Sequence, residues 1–295
     1  MSGPPAIFDR ALLRRRRDRA ARQVAAVAPV LEAAADLLLD RLDDVTRRFG
    51  RALDLGGRGV VAPRLRARGI AEVVSMDLSP AMAARNGGLA VAGEEEWLPF
   101  APESFDLIVA SLSLHTVNDL PGALLQIRRA LRPDGLFLAS LPGLGTLQPL
   151  REALLTAELA LTGGASPRVF PFPDLADMAA LLQRAGFALP VADLAVLPLA
   201  YRSAQALVAD LRAAGEQNAL CARNRRIPPR ALFALAFAEL EGKGSPIALD
   251  LPLLMLTGWA PHESQSRPAR PGSATVRLAD ALGVVEQGAG ERAGG

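Results

Sequence analysis

Leu53-Asp54-Leu55-Gly56-Gly57-Arg58-Gly59 is the stretch on which the fold turns. A short apolar run stops there at three glycines in four positions. Glycines at the end of a buried strand tolerate a positive φ and let the backbone come close to a ligand. An acid at the end of the next strand can then accept two ribose hydroxyls. Asp77 stands at that place, 23 residues after Asp54. A strand, a glycine turn, a helix and an acid at this distance point to a site for a nucleoside cofactor.

Working outward, residues 52–55, 72–76, 89–92, 105–111 and 136–141 read as strands that are almost continuously apolar, as strands buried on both faces are. Between them 60–68, 80–85 and 120–131 have helical character. The last has Asp119 as its cap, Pro121 in its first turn and the turn Arg132-Pro133-Asp134-Gly135 behind it. Alternating strands and helices over about a hundred residues give a parallel sheet covered by helices. Two helices are expected before it, over 7–28 with a wet basic face and over 31–49, where Leu31, Ala35, Leu38, Leu42, Val45 and Phe49 follow helical spacing. After it come helices over 147–161 and 175–185, an extended stretch 187–199, helices over 203–214 and 230–240, a strand over 252–259, and a disordered tail 288–295.

Half of the 295 residues are apolar and 22% are charged, so the chain is a folded globular protein and not a disordered one. The 33 basic residues exceed the 31 acidic ones by two, too thin a surplus for a nucleic-acid surface. One cysteine, Cys221, excludes an intrachain disulfide and a cysteine-built zinc site, and points to a reducing compartment, the cytoplasm. No apolar run approaches the roughly 20 residues of a membrane helix. The arginine-rich start carries Asp9 and Asp18 and lacks the apolar core of a secretory signal. Only His115 and His262 are available as histidine bases or metal ligands.

The stretch Gly93-Glu94-Glu95-Glu96-Trp97-Leu98-Pro99-Phe100, followed by Ser104-Phe105-Asp106-Leu107-Ile108-Val109, resembles the class I S-adenosylmethionine-dependent methyltransferases. That resemblance implies a Rossmann-like, mostly parallel doubly wound sheet with an antiparallel last strand. It also implies a cofactor, S-adenosyl-L-methionine, held by Asp54, Gly56, Gly57, Gly59, Asp77, Leu78, Glu94, Trp97, Leu98 and Ser111. Glu94 is the implied adenine contact, with Trp97 and Leu98 as apolar walls, while Glu95 is expected in a solvated turn. A longer set of motifs is similar to one family in particular: Phe8-Asp9-Arg10, Ser111-Leu112-Ser113-Leu114-His115, Asn118-Asp119-Leu120-Pro121, Gln126-Ile127-Arg128-Arg129, Ser166-Pro167-Arg168-Val169, Gln183-Arg184-Ala185-Gly186-Phe187, Gly258-Trp259, His262-Glu263-Ser264-Gln265, Arg267-Pro268 and Gly272-Ser273-Ala274-Thr275-Val276. These look like the methyltransferase-like assembly factor of respiratory complex I and its bacterial relatives. The resemblance implies hydroxylation of an arginine on a complex I subunit by a protein that keeps the methyltransferase fold, on the matrix side of the inner membrane where the protein is mitochondrial. Three departures stand out: a glycine loop one residue shorter than the family's, Thr116 in place of a tryptophan after His115, and Leu144 with Pro149 inside a usually glycine-rich motif.

The expected organisation is amino-terminal helices over 1–49, a cofactor-binding core over 50–200, a helical cap over 201–250, the last strand and signature over 251–285, and a tail over 286–295. His115 leaves the fourth strand at the carboxyl edge, where open α/β sheets bind ligands, and is the candidate base; Tyr201, at the start of the cap, is the second catalytic candidate. An antiparallel last strand would carry His262 to the opposite edge, so the two histidines could not share an iron and no metal site is expected. Asp119, Asp210, Glu216 and Glu239 are the acids available to an arginine client, a complex I subunit gripped by the cap. Two other readings stay open, a non-catalytic assembly factor and a small-molecule methyltransferase.

Overall fold

The computed structural model describes residues 5–265, 273, 276 and 278–284. Met1–Pro261 form one compact unit and His262–Gly295 a second. The first is built on a seven-stranded sheet of β1 (Arg51–Leu55), β2 (Glu72–Asp77), β3 (Leu89–Ala92), β4 (Phe105–Ser111), β5 (Leu131–Pro142), β6 (Ala188–Tyr201) and β7 (Ile247–Trp259), in the order β3-β2-β1-β4-β5-β7-β6. Strands β1 to β5 pair in parallel, and β7 lies antiparallel between β5 and β6. The fold expected from the sequence is therefore the fold observed. From β1 the chain passes to β2 on one side, and the sheet continues through β4 on the other. That reversal opens a crevice at the carboxyl ends of β1 and β4.

The helices are α1 (Arg10–Ala20), α2 (Ala28–Leu39), α3 (Val61–Ala67), α4 (Pro80–Ala83), α5 (Leu120–Ala130), α6 (Gln148–Thr162), α7 (Leu175–Arg184), α8 (Ala204–Ala214) and α9 (Arg230–Gly242), with α10 (Leu278–Leu282) in the second unit. One apolar core lies between the sheet and α2 and α3, through Leu31, Leu38, Val61 and Leu65. The other lies under α5 and α7, through Leu124, Ile127, Met178 and Leu182. Caps fix where helices start. Asp9 accepts the Leu12 N–H at 3.0 Å, and Asp119 accepts the Gly122 N–H at 2.9 Å ahead of Pro121 in the first turn of α5.

The helix expected over 31–49 stops earlier. After α2 a 3₁₀ turn covers Asp40–Leu42, and the chain then runs irregularly to β1. The run Asp43-Asp44-Val45-Thr46 combines acids that compete for the backbone with β-branched residues, both weak helix formers. Leu42, Val45 and Phe49 still pack against the core, so the apolar spacing was satisfied by a different backbone.

At the far side of the sheet β7 outruns β5. Pro142 pairs with Leu253, whereas the β6–β7 pairing continues through six more pairs, from Val196 with Pro252 to Tyr201 with Ile247. This two-stranded ribbon projects about 20 Å past the carboxyl edge at roughly 3.4 Å per residue. Helices α6, α8 and α9 pack around it through Leu150, Leu154, Leu207, Leu232 and Leu249.

In the second unit the His262 Nδ1 lies 2.7 Å from the Ser264 hydroxyl, and His262 is exposed. Strand β7 itself ends with Trp259 beside Leu136, at the amino end of the β5 core segment. Arg267, Pro268, Gly272, Ala274 and Thr275 of the carboxyl-terminal motif, and the tail 286–295, lie outside the described residues.

Candidate functional site

The glycine loop follows β1 directly and is packed from both sides. A Cβ on Gly56, at φ +76°, would meet Ser113 Cβ at 2.5 Å, and one on Gly57 would meet Asp54 Oδ1 at 2.1 Å, so neither position admits a side chain. Ser113 clasps the loop by donating its hydroxyl to the Leu55 carbonyl at 2.7 Å. Asp54 is fully buried beneath it; its Oδ2 accepts from the Ser75 hydroxyl at 3.3 Å and its Oδ1 has no hydrogen-bond partner. Burial pushes its pKa up to about 7. Arg58 sits in the left-handed region at φ 49° with its guanidinium inside the protein, donating to the Leu112 carbonyl at 2.9 Å and to Glu216.

Asp77 ends β2 as expected. Its Oδ1 accepts the Ser79 N–H at 2.8 Å, its Oδ2 has no hydrogen-bond partner, and burial raises its pKa. Facing it is a residue that the sequence reading did not single out. Arg17 of α1 is fully buried, with Nη1 3.1 Å from Glu95 Oε1 and 3.6 Å from Asp77 Oδ2. Arg10, two turns earlier on the same face of α1, donates to Glu94, to Glu95 and to the Thr116 carbonyl at 3.0 Å.

The glutamate run differs from its expected arrangement. Glu95 is not solvated but completely buried; burial alone would raise its pKa, and Arg17 and Arg10 more than offset this and lower it. Glu94 remains partly exposed, and its pKa is raised by burial against the pull of Arg10. Trp97 is 78% exposed and walls no buried space in this conformation. Leu98 packs on the α5 side of the core and donates its N–H to Gln126 at 2.9 Å. Leu78 packs with Phe8, Leu13 and Phe170, and Ser111 is buried with its hydroxyl 3.4 Å from that of Ser140. The pairing of Arg10 and Arg17 with Glu94 and Glu95 joins positions 78 to 85 residues apart, which no periodicity could signal; the only sequence cue was the Phe8-Asp9-Arg10 motif.

Beside the glycine loop and under the cap is a cavity of about 340 Å³. His115 lines it from the 3₁₀ turn Leu114–Thr116 after β4, with Nε2 3.0 Å from Glu216 Oε2 and with Phe170 and Phe172 ring centroids at 6.5 and 6.4 Å. Glu216 thus receives His115 on one oxygen and Arg58 on the other. Burial would raise its pKa, but His115 and Arg58 beside it bring it down to about 2. Tyr201 also lines the cavity; burial and its hydrogen bond to Asp210 push the phenol up to about 12. Of the acids considered for an arginine client, Asp210 and Glu216 line the cavity, Asp119 caps α5, and Glu239 lies on α9 away from it. Among the described residues no cluster of three His, Cys, Asp or Glu side chains is placed to hold a metal ion.

The carboxyl edge suits the expected cofactor on its own terms. The glycine loop offers a side-chain-free cradle, Asp77 keeps a buried acceptor without a hydrogen-bond partner, and Arg17 keeps buried Nε and Nη2 donors without hydrogen-bond partners.

Comparison with known proteins agrees. The methyltransferase domain family model matches residues 14–190. The chain is 38% identical over 293 residues to the human protein named arginine-hydroxylase NDUFAF5, mitochondrial, covering 95% of this chain and 84% of that one. It is 35% identical over 240 residues to the malonyl-[acyl-carrier protein] O-methyltransferase of Laribacter hongkongensis, covering 75% and 79% respectively. Among solved structures, the [4+2]-cyclase SpnF superposes with a TM-score of 0.54 at 19% identity, over 88% of this chain and 99% of that one, a likeness of fold.

Proposed function

From the premise that the chain belongs to the methyltransferase domain family, and within it to the family of the arginine-hydroxylase NDUFAF5 proteins, we propose that it is an enzyme of respiratory complex I assembly that modifies a protein arginine. Its cofactor is S-adenosylmethionine, the cofactor of this fold family. The observation that carries the proposal is identity of 36–38% sustained over 93–95% of the chain, cap included, with the zebrafish and human proteins of that name. The malonyl-[acyl-carrier protein] O-methyltransferase of Laribacter hongkongensis matches less of the chain, 75%.

In this reading Asp77 accepts the ribose hydroxyls, Glu94 the adenine amino group, and the backbone of Gly56, Gly57 and Gly59 lies against the amino-acid part of the cofactor. When bound, S-adenosylmethionine supplies an electrophilic carbon on a sulfonium sulfur. Asp54, half-ionised near neutral pH, holds the loop from below. His115 is the proposed proton acceptor: Glu216 takes the Nε2 hydrogen, which leaves Nδ1 as the lone-pair nitrogen. Tyr201, its phenol held by Asp210, serves as a wall with a polar tip more than as an acid or base.

We assign the protein to the cytoplasm, or to the matrix side of the inner membrane for a mitochondrial copy; the human relative carries "mitochondrial" in its name. Among the described residues no helix is long and apolar enough to cross a membrane.

The test is intact-mass analysis of complex I subunits from cells lacking this protein, before and after incubation with the purified chain and S-adenosylmethionine. Gain of one methylene on an arginine, or of one oxygen where dioxygen and a two-electron reductant are also supplied, lost with His115→Ala, is the expected result. Subunits left unchanged by a preparation that binds the cofactor would overturn the arginine assignment.

A further inference from the structure

The two acids given to the cofactor are both held by one helix. Arg10 of α1 donates to Glu94 and to Glu95. Arg17, about two turns later, faces Asp77 at 3.6 Å and donates to Glu95 at 3.1 Å. That spacing puts both guanidiniums on one face of α1, and the acids they hold lie at and just past the carboxyl ends of β2 and β3. Burial would lower the pKa of Arg17, but Asp77, Glu95 and Glu216 raise it, so the helix keeps its inward charge.

The same helix seals the edge. Leu13 of α1 is fully buried and packs with Leu78, next to Asp77, and Asp18 accepts the hydroxyl of Ser79. Asp77 is left 1% exposed, with Arg17 in front of its Oδ2. A ribose hydroxyl has to come within about 2.5–3.0 Å of that oxygen to donate to it. With a guanidinium at 3.6 Å and almost no open surface, Asp77 is out of its reach while α1 is docked. Glu94 is engaged in the same way, by Arg10 at the more exposed end of the network.

We propose that α1 is a latch on the cofactor edge: its arginines compete with the ribose and adenine of S-adenosylmethionine for Asp77 and Glu94. Glu95, which receives both arginines and is not one of the cofactor acids, tethers the helix when the cofactor takes the other two. The proposal rests on the assignment of Asp77 and Glu94 to the cofactor. A docked and a released state then exchange, and the cofactor binds only the released one, so its apparent affinity scales with the released fraction. Such coupling is reciprocal: whatever loosens α1 tightens the cofactor, and the cofactor loosens α1 by the same factor.

The test uses the full chain and S-adenosylhomocysteine, whose uncharged sulfur removes the attraction that loss of an arginine would lend to a sulfonium. Arg10→Ala should bind it at least threefold more tightly than the wild type in calorimetric titration. Arg15→Ala takes the same charge from the opposite, exposed face of α1 and should leave the affinity unchanged. Hydrogen exchange of the amides of residues 10–20 should become faster when the ligand saturates the wild type. That measurement needs no substitution and decides the matter if Arg10→Ala does not fold. Equal or weaker binding by Arg10→Ala, the same gain in Arg15→Ala, or α1 amides as protected with ligand as without it would each overturn the latch and leave the cofactor site in place. No binding by the wild type and both variants would overturn the cofactor assignment and the latch with it.

Discussion

Arg17 on the first helix and Asp77 at the end of the second strand face each other at 3.6 Å with both side chains buried. The acid whose position marks the cofactor site is therefore also a partner in an ion network that holds α1 on the sheet. Removing one member of a buried pair strands the other, typically at a cost of about 3–5 kcal/mol. Arg17→Met should destabilise the chain by about that amount in chemical denaturation. A loss below about 1 kcal/mol, the range of exposed pairs, would show that water reaches this network.

Asp77→Asn keeps the size of the side chain and the acceptor for the Ser79 N–H but removes the charge. Hydrogen bonds to a charged group contribute about 1.5–3 kcal/mol, so S-adenosylmethionine affinity should fall at least tenfold in calorimetric titration. Unchanged affinity would move the ribose elsewhere.

Gly57→Ala places a methyl group 2.1 Å from the Asp54 carboxylate. Overpacking of this kind costs about 1–3 kcal/mol, so the melting temperature and cofactor affinity should fall together. A fall in neither would mean that the loop has slack despite its shortened length.

The acid limb of stability should carry the signature of Glu216. Its pKa is depressed from 4.5 to about 2 in the folded chain, so its contribution is present in full above the unfolded value and is lost as the pH falls from about 4.5 towards 2. Glu216→Gln should be less stable at pH 7 and should show a flatter loss of stability across that window. Parallel acid-denaturation curves for the two proteins would assign the window to other carboxylates.

Much of the sheet was legible because buried parallel strands write their burial into the sequence as unbroken apolar runs, and because Gly56 to Gly59 and Asp77 occupy places set by backbone geometry. The acid–arginine network was not. Three glutamates in a row look alike on paper, yet Glu96 takes the Asn118 N–H, Glu94 stays near the surface, and Glu95 goes inside to meet Arg17. Four consecutive arginines, Arg14 to Arg17, equally conceal the one whose helical position turns it inward. Trp97 fails in the opposite sense, an apolar side chain left outside. The dyad of His115 and Glu216 was half visible: both residues were candidates, but 101 positions separate them and only the tertiary fold joins them.

The ribbon of β6 and β7 works as a cantilever. Leu199, Tyr201, Leu249 and Leu251, on its free span, form one wall of the cavity, and its root is clamped where the Gly143 N–H donates to the Pro252 carbonyl at 2.8 Å and a Cβ on Gly143 would strike Leu254 at 2.9 Å. The wall of the cavity is thus rooted at the carboxyl end of β5, where Pro142, next to Gly143, itself lines the cavity.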